Sequence, residues 1–124
     1  MISIDTNILV RAYLYDDEEQ AKQAQDILLQ VNQGKELFIS SYAILEFAWV
    51  LKTKGYSRQE IYQAVIKLAD CKGISIGQKH VVLSALEKYI KGKADFGDYM
   101  IIAESKLNGF NKFKTFDKAV LNEI

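Results

Sequence analysis

Residues 2–9 read Ile-Ser-Ile-Asp-Thr-Asn-Ile-Leu, and this stretch carries the main clue to the fold. Its first three residues predict a short buried strand, and Thr6 and Asn7 are predicted to cap the helix that follows. Asp5 stands between the two elements, at the carboxyl end of the strand. Ligands of α/β proteins bind beyond that end of the sheet. The stretch therefore predicts an α/β fold with a functional position at Asp5.

The alternation of short strands and helices continues along the chain. Segments 37–39, 74–76 and 112–115 predict three further strands, and the intervening apolar patterns are helical. No proline or low-complexity stretch divides the sequence. We therefore predict one domain over residues 1–124, an α/β sandwich around a small, mostly parallel sheet of short strands. Further helices are predicted from the acidic cluster at 16–19 to about 32, from 42 to about 54, after Ser57 with a capping box to Glu60, over 79–90, from 95 or 97 to about 107, and from Asp117.

The composition is that of an ordinary soluble globular protein, with 49% hydrophobic and 26% charged residues. Cys71 is the only cysteine, which excludes an intrachain disulfide and favours a reducing compartment. The sequence has no apolar run long enough for a membrane span and no signal-peptide pattern at its start. A cytoplasmic protein without a membrane partner is the expectation.

Charge is unevenly distributed, although the net charge is zero. Residues 1–62 carry 6 basic and 9 acidic side chains, and residues 63–124 carry 10 basic and 7 acidic ones. Lysines in the last third can contact phosphates, and a solvated lysine-rich surface is the alternative. These lysines are Lys88, Lys91, Lys93, Lys106, Lys112, Lys114 and Lys118.

Glu46 is the most informative acid, because it stands in the apolar helical segment Tyr-Ala-Ile-Leu-Glu-Phe-Ala-Trp-Val-Leu. Its neighbours at three and four residues are apolar, so the side chain is predicted to face the interior, where a carboxylate requires a cation. A metal ion or a sequence-distant Lys or Arg would meet that need. Phe47 and Trp49 are interpreted as core residues, and base stacking or a partner contact is the alternative.

The aspartates have simple structural interpretations as well. Asp5 and Asp117 suit N-caps, while Asp95 and Asp98 suit the N-cap and third helical position of one helix. Taken one at a time, these acids do not separate a helix start from a functional site.

The order of the acids along the chain resembles that of the PIN domain. The matching segments are Ile-Asp-Thr-Asn-Ile-Leu at 4–9, Ser40 six residues before Glu46, Asp-Phe-Gly-Asp at 95–98 and Lys-Thr-Phe-Asp-Lys at 114–118. The resemblance extends from residue 2 to about 121 and is closest to the VapC-type toxins of toxin–antitoxin pairs. It implies a three-layer α/β/α sandwich.

The resemblance also implies a site. Catalytic and metal-binding roles would fall to Asp5, Glu46, Asp98 and Asp117, with Asp95 as an alternative or supporting third acid. Supporting polar positions would be Thr6, Asn7, Ser40 and Thr115. Arg11, one turn after Asn7, is a candidate for contact with a phosphate or an antitoxin carboxylate, and a plain surface Arg is the alternative.

Clustered carboxylates repel one another unless divalent cations lie between them. Oxygen ligands without His or Cys favour Mg²⁺ or Mn²⁺. The resemblance implies hydrolysis of RNA by metal-activated water, leaving a 5′-phosphate. It further implies a homodimer and a cognate antitoxin that inserts into the active-site groove.

Two other function classes compete with a ribonuclease toxin. One is an RNA- or protein-binding module on the same fold, without nuclease activity. The other is a receiver-like phosphoacceptor, which would carry paired acids near the first strand and a Lys after the last. The single Asp5 and the acidic Asp117 at those positions disfavour a receiver.

Overall fold

The computed structural model describes residues 1–123, so Ile124, the last residue of the predicted domain, lies outside the described residues. The chain divides into two compact units, which we call the N-terminal unit (Met1–Gly77) and the C-terminal unit (Gln78–Ile124). Strands and helices alternate in the first, and the second is helical. The predicted α/β class is confirmed. No helix within residues 1–123 has both the length and the apolar character needed to cross a membrane.

The sheet of the N-terminal unit has three parallel strands in the order β1-β2-β3. They are β1 (Ile2–Ile4), β2 (Leu37–Ile39) and β3 (Ile74–Ile76). All three match the predicted bounds. Parallel neighbours require a crossover between consecutive strands, and each crossover here carries two α-helices.

The carboxyl ends of the three strands are in register. Ile4 pairs with Ile39, which pairs with Ile76. The residues that follow, among them Asp5 and Ser40, therefore leave the sheet at the same edge. The fold thus brings residues that are far apart in sequence to the same edge of the sheet, where a functional site can form.

The helices of the N-terminal unit start at side-chain caps. The Ser57 capping box with Glu60 is present as predicted. The predicted capping of the first helix by Thr6 and Asn7 is wrong. Asp5 is the N-cap, because its extended backbone lets its carboxylate accept from a backbone N–H three residues on. The bounds are α1 (Thr6–Leu14), α2 (Glu18–Leu29) continued by a 3-10 turn (Gln30–Gln33), α3 (Ser41–Thr53) and α4 (Arg58–Asp70).

The core of the N-terminal unit forms where α3 meets the sheet and the neighbouring helices. Ile39, Ile44 and Leu51 are fully buried, and Phe47 is 2% exposed. The ring of Tyr13 packs edge-to-face on Phe47 with centroids 5.7 Å apart. The core prediction for Phe47 is confirmed, and this packing fixes which face of α3 is turned toward solvent.

The C-terminal unit contains α5 (Lys79–Lys91), α6 (Phe96–Leu107) and the short α7 (Lys118–Leu121). Tyr89 of α5 packs edge-to-face on the ring of Phe96, with centroids 5.7 Å apart. Tyr99 is 2% exposed, and its hydroxyl donates to Glu123 and accepts from the backbone N–H of Ala94. These contacts fasten the start of α6 to the end of the described chain.

The predicted fourth strand at 112–115 is wrong. This segment lies between α6 and α7 and is not part of the three-stranded sheet. Its alternating pattern resembles a strand, but a strand also needs a pairing partner, which periodicity does not supply. Phe113 packs locally instead, on the ring of Phe110 with centroids 6.0 Å apart.

Candidate functional site

One hydrogen bond joins the start of α1 to α3 in the N-terminal unit. The hydroxyl of Thr6 donates to Oε1 of Glu46 over 2.7 Å, across 40 positions of sequence. Thr6 is the first residue of α1 and directly follows Asp5. Two of the predicted acids thus belong to one local arrangement, at the edge where the strands end.

The Asp5 side chain has a defined role in this arrangement. It is exposed, and its Oδ1 accepts from the backbone N–H of Ile8 at 3.3 Å. A carboxylate at an N-cap also faces the positive end of the helix dipole. The cap therefore fixes the position of the Asp5 carboxylate at the edge where the strands end.

Glu46 does not point into the interior as predicted. The buried face of α3 is formed by Ala43, Ile44, Phe47, Ala48 and Leu51, whereas Glu46 is exposed. Tyr42 and Trp49, one turn on either side of it, are 67% and 65% exposed, so the core prediction for Trp49 is also wrong. Apolar residues of α3 occur on nearly every side of the helix, so the periodicity of its sequence could not identify the buried face.

The other predicted residues of the N-terminal unit have local partners or lie in solvent. Ser40 caps α3 by accepting from the backbone N–H of Ala43 at 3.0 Å. Asn7 is exposed. Arg11 forms an ion pair with Asp16 at 3.1 Å, and both side chains are more than a third exposed. Arg11 is therefore held at the surface by a pair that solvent weakens.

The acids at the start of α6 are held by the helix itself. Asp95 is the N-cap and Asp98 the third helical residue, in a capping box. Oδ2 of Asp98 accepts from the backbone N–H of Asp95 at 3.3 Å. Asp98 is half-buried and Asp95 is exposed. The structural interpretation of this pair is thereby confirmed, and it leaves a further role for either carboxylate open.

Asp117 caps α7 in the same manner. Its Oδ1 accepts from the backbone N–H groups of Ala119 at 2.8 Å and Val120 at 3.4 Å. Thr115 accepts from the backbone N–H of Asp117 at 3.0 Å. Asp117 starts a helix as predicted, although no strand precedes it.

The donor set of Asp5 and Glu46 fits a hard divalent cation. Residues 1–123 contain no group of three or more His, Cys, Asp or Glu side chains arranged to hold a metal ion. Mg²⁺ does not need such a cage, because it is commonly bound by one or two carboxylates together with waters and substrate phosphates. Asp5 and Glu46 are both exposed and are linked through Thr6, so they are two carboxylates of the kind such a site uses.

Comparison with known families decides the assignment. The profile of the PIN domain matches residues 2–124, nearly the whole chain. The chain belongs to the PIN-domain family. PIN domains are generally nucleases that use divalent metals, so the family supports a nuclease-type hydrolase module. No curated protein matches the sequence.

Two features of this PIN domain were missed by sequence reasoning. The Thr6–Glu46 hydrogen bond joins residues too far apart for any local pattern to reveal. Gly77, after β3, is the other feature. A Cβ there would lie 3.1 Å from the ring of Phe38 and 3.2 Å from the backbone nitrogen of Ser41. A Gly directly after a predicted strand was the available signal, since it often marks a close backbone approach.

An apolar cavity is a further feature of the N-terminal unit. Its volume is about 490 Å³, and residues of α1, α2 and α4 contribute to its lining. Partial burial raises the pKa of Tyr13 at its wall, with smaller contributions from Tyr56 and Glu60. Apart from Lys67, Gln25, Asn32, Tyr13 and Cys71, the lining side chains are aliphatic or aromatic hydrocarbons.

Proposed function

We propose that this PIN domain is a metal-dependent endoribonuclease that hydrolyses RNA phosphodiester bonds. Asp5 and Glu46 are the proposed primary ligands of Mg²⁺ or Mn²⁺. Asp98 and Asp117 are proposed as further catalytic and metal-binding acids, with Asp95 as the alternative to Asp98. Because the family profile spans both compact units, we propose that they act as a single nuclease domain.

The Thr6–Glu46 hydrogen bond is the observation that carries this proposal. An exposed Glu on a helix surface ordinarily samples several rotamers, and ordering it costs side-chain entropy. Here the carboxylate is held by the hydroxyl of Thr6, the residue that follows Asp5 in α1. Restraint of this kind is what a ligand position requires, because ligands are commonly oriented by a neighbouring hydrogen bond.

The chain's own residues have distinct tasks in the proposed reaction. Asp5 and Glu46 bind the cation, and Thr6 orients the Glu46 carboxylate. When bound, the cation supplies an activated water and neutralises charge on the leaving oxygen. Thr115, Ser40 and Asn7 are proposed as supporting polar groups, and Arg11 as a contact for a substrate phosphate.

We further propose that the enzyme is the toxin of a VapBC-type toxin–antitoxin pair, acting as a homodimer on cytoplasmic RNA. The apolar cavity supports a protein partner, because a contiguous hydrocarbon surface left open by the fold is typical of interaction sites. The exposed Trp49 and Tyr42 rings add apolar surface of the kind found at interfaces.

The nuclease proposal is tested with Asp5→Asn. Purified wild-type protein should cleave single-stranded RNA only with added Mg²⁺ or Mn²⁺, and excess chelator should stop it. Asp5→Asn should lose at least about a hundredfold in kcat/KM, because a metal-binding charge is removed. Asn still caps a helix, so thermal stability should stay close to that of the wild type.

Asp26→Asn is the matched control, since Asp26 is an exposed acid of α2 outside the proposed site. Its activity should equal that of the wild type. Cleavage that survives chelation, or full activity in Asp5→Asn, would contradict the proposal. The toxin role predicts growth arrest on expression, relieved by a small neighbouring gene, and healthy growth with active protein would contradict it.

A binding module without nuclease activity is the second candidate. The caps favour it, because Asp5 and Asp117 already have structural tasks at helix starts. A wild-type protein that binds RNA or a protein partner but cleaves no RNA with either metal ion would identify this alternative.

A further inference from the structure

The segment 112–118, Lys-Phe-Lys-Thr-Phe-Asp-Lys, carries an exposed aromatic ring among exposed lysines. Its exposure alternates: Lys112, Lys114 and Phe116 are exposed, whereas Phe113 and Thr115 are half-buried. Lys118 is exposed as well, so Phe116 lies two residues in sequence from an exposed lysine on each side.

The backbone around Phe116 is held by hydrogen bonds. The N–H of Asp117 donates to Thr115 at 3.0 Å, and the Asp117 carboxylate accepts from Ala119 at 2.8 Å. Val120, one turn further on, is 3% exposed and anchors α7. A fixed backbone thus presents the ring, which is fully exposed at 104%.

Full exposure of a phenyl ring is unfavourable, because its apolar surface stays in water. Phe113, three positions earlier, avoids this by packing on Phe110. A fully exposed ring on a hydrogen-bonded backbone leaves its flat face available for stacking. The flanking charges indicate the kind of ligand. The segment carries three lysines, Lys112, Lys114 and Lys118, and one acid, Asp117, so its net positive charge favours an anionic ligand.

We propose that the 112–118 segment binds single-stranded RNA, with an unpaired base stacked on Phe116 and the lysines on flanking phosphates. An anionic backbone that carries flat aromatic bases matches exposed lysines on either side of an exposed ring. Duplex bases are already stacked and cannot accept a protruding ring. The inference rests on the proposed ribonuclease function, to which it adds a base-stacking position at Phe116, and the stacked base would lie next to Asp117.

The test measures affinity in chelator, so that no cleavage occurs. The probes are a short fluorescein-labelled oligouridylate and a labelled RNA hairpin with a fully paired stem and a minimal loop. Phe116→Ala and Phe116→Leu should each weaken oligouridylate binding roughly tenfold, while Phe116→Tyr should remain within about twofold of the wild type. Phe116→Leu keeps apolar bulk without a π face, and so separates stacking from hydrophobic contact.

The lysines are tested through salt dependence. Lys114→Gln should reduce the slope of log affinity against log salt by about 0.7, the value for one phosphate contact on a single strand. Glu104→Gln, at an exposed acid of α6, should leave binding unchanged. Circular dichroism should show native thermal unfolding for the Phe116 variants, because the ring is in solvent.

Several results would overturn the inference. Wild-type affinity in Phe116→Ala or Phe116→Leu would exclude stacking, and tighter binding of the hairpin than of oligouridylate would exclude single-strand recognition. Loss of self-association or of a protein partner, with RNA affinity unchanged, would assign the ring to a protein interface. The ribonuclease proposal fails separately, if the wild type binds oligouridylate through Phe116 but never cleaves it.

Discussion

The acids of the two compact units differ in what holds them. In the C-terminal unit, Asp98 and Asp117 accept hydrogen bonds from backbone N–H groups at the start of their own helices. Glu46, in the middle of α3, is held by the side chain of Thr6 from another helix. Local sequence suffices to explain the first two carboxylates, because a helix start favours an acid. The third is explained only by the tertiary fold.

This difference ranks the candidates. A capping carboxylate contributes to stability whether or not it binds a metal ion. A carboxylate in mid-helix contributes little to helix stability, so its restraint points more directly to function. Asp5 is intermediate, since it caps α1 and also lies next to the Thr6–Glu46 bond. Substitutions that separate charge from capping test this ranking.

Glu46→Gln should have the largest effect on activity. The amide oxygen can still accept from Thr6, so the local structure should remain, while the negative charge is lost. We expect kcat/KM for RNA cleavage to fall a hundredfold or more, with the free energy of unfolding within about 0.5 kcal/mol of wild type. Steady-state kinetics and urea unfolding measure the two quantities. Normal cleavage by the folded variant would remove Glu46 from the site.

The three strands of the sheet and most helix starts could be predicted because their signals are local. Short segments with apolar first and third residues gave the bounds of β1, β2 and β3, and Ser57 with Glu60 marked a capping box. Such signals depend on backbone preference and on hydrogen bonds within a few residues. The family resemblance depended on other short segments, at 4–9, 95–98 and 114–118, and on the spacing of Ser40 and Glu46.

Apart from the N-cap of α1, the failures concern contacts between distant parts of the chain. The orientation of Glu46 was wrong because α3 is apolar on nearly every side, so only its packing partners select the buried face. The strand at 112–115 was wrong because alternation does not supply a neighbour to pair with. The bond from Thr6 to Glu46 spans 40 positions, beyond the reach of any periodicity.

Thr6→Val should have an intermediate effect. Valine preserves the shape of the side chain but cannot donate to Glu46, so the carboxylate loses its orientation. We expect Mn²⁺ affinity to fall roughly tenfold, as when a group that orients a metal ligand is removed, while stability changes by about 1 kcal/mol. Calorimetric titration with Mn²⁺ measures the affinity. Thr6→Ser retains the hydroxyl and should restore it. Equal weakening in both variants would instead indicate a packing role for Thr6.

Substitutions of Asp117 should have the smallest effect on activity. Two of them separate its role as a helix cap from a role of its negative charge in the reaction. Asn caps a helix about as well as Asp, so Asp117→Asn should remain near wild-type stability, whereas Asp117→Ala should lose about 1 kcal/mol. If Asp117 is only a cap, RNA cleavage should follow stability, and the Asn variant should be fully active. If its charge serves the reaction, both variants should lose activity to the same degree despite their different stabilities. Thermal unfolding and cleavage rates, measured on the same preparations, therefore decide whether the acid that starts α7 belongs with Glu46 or with the caps.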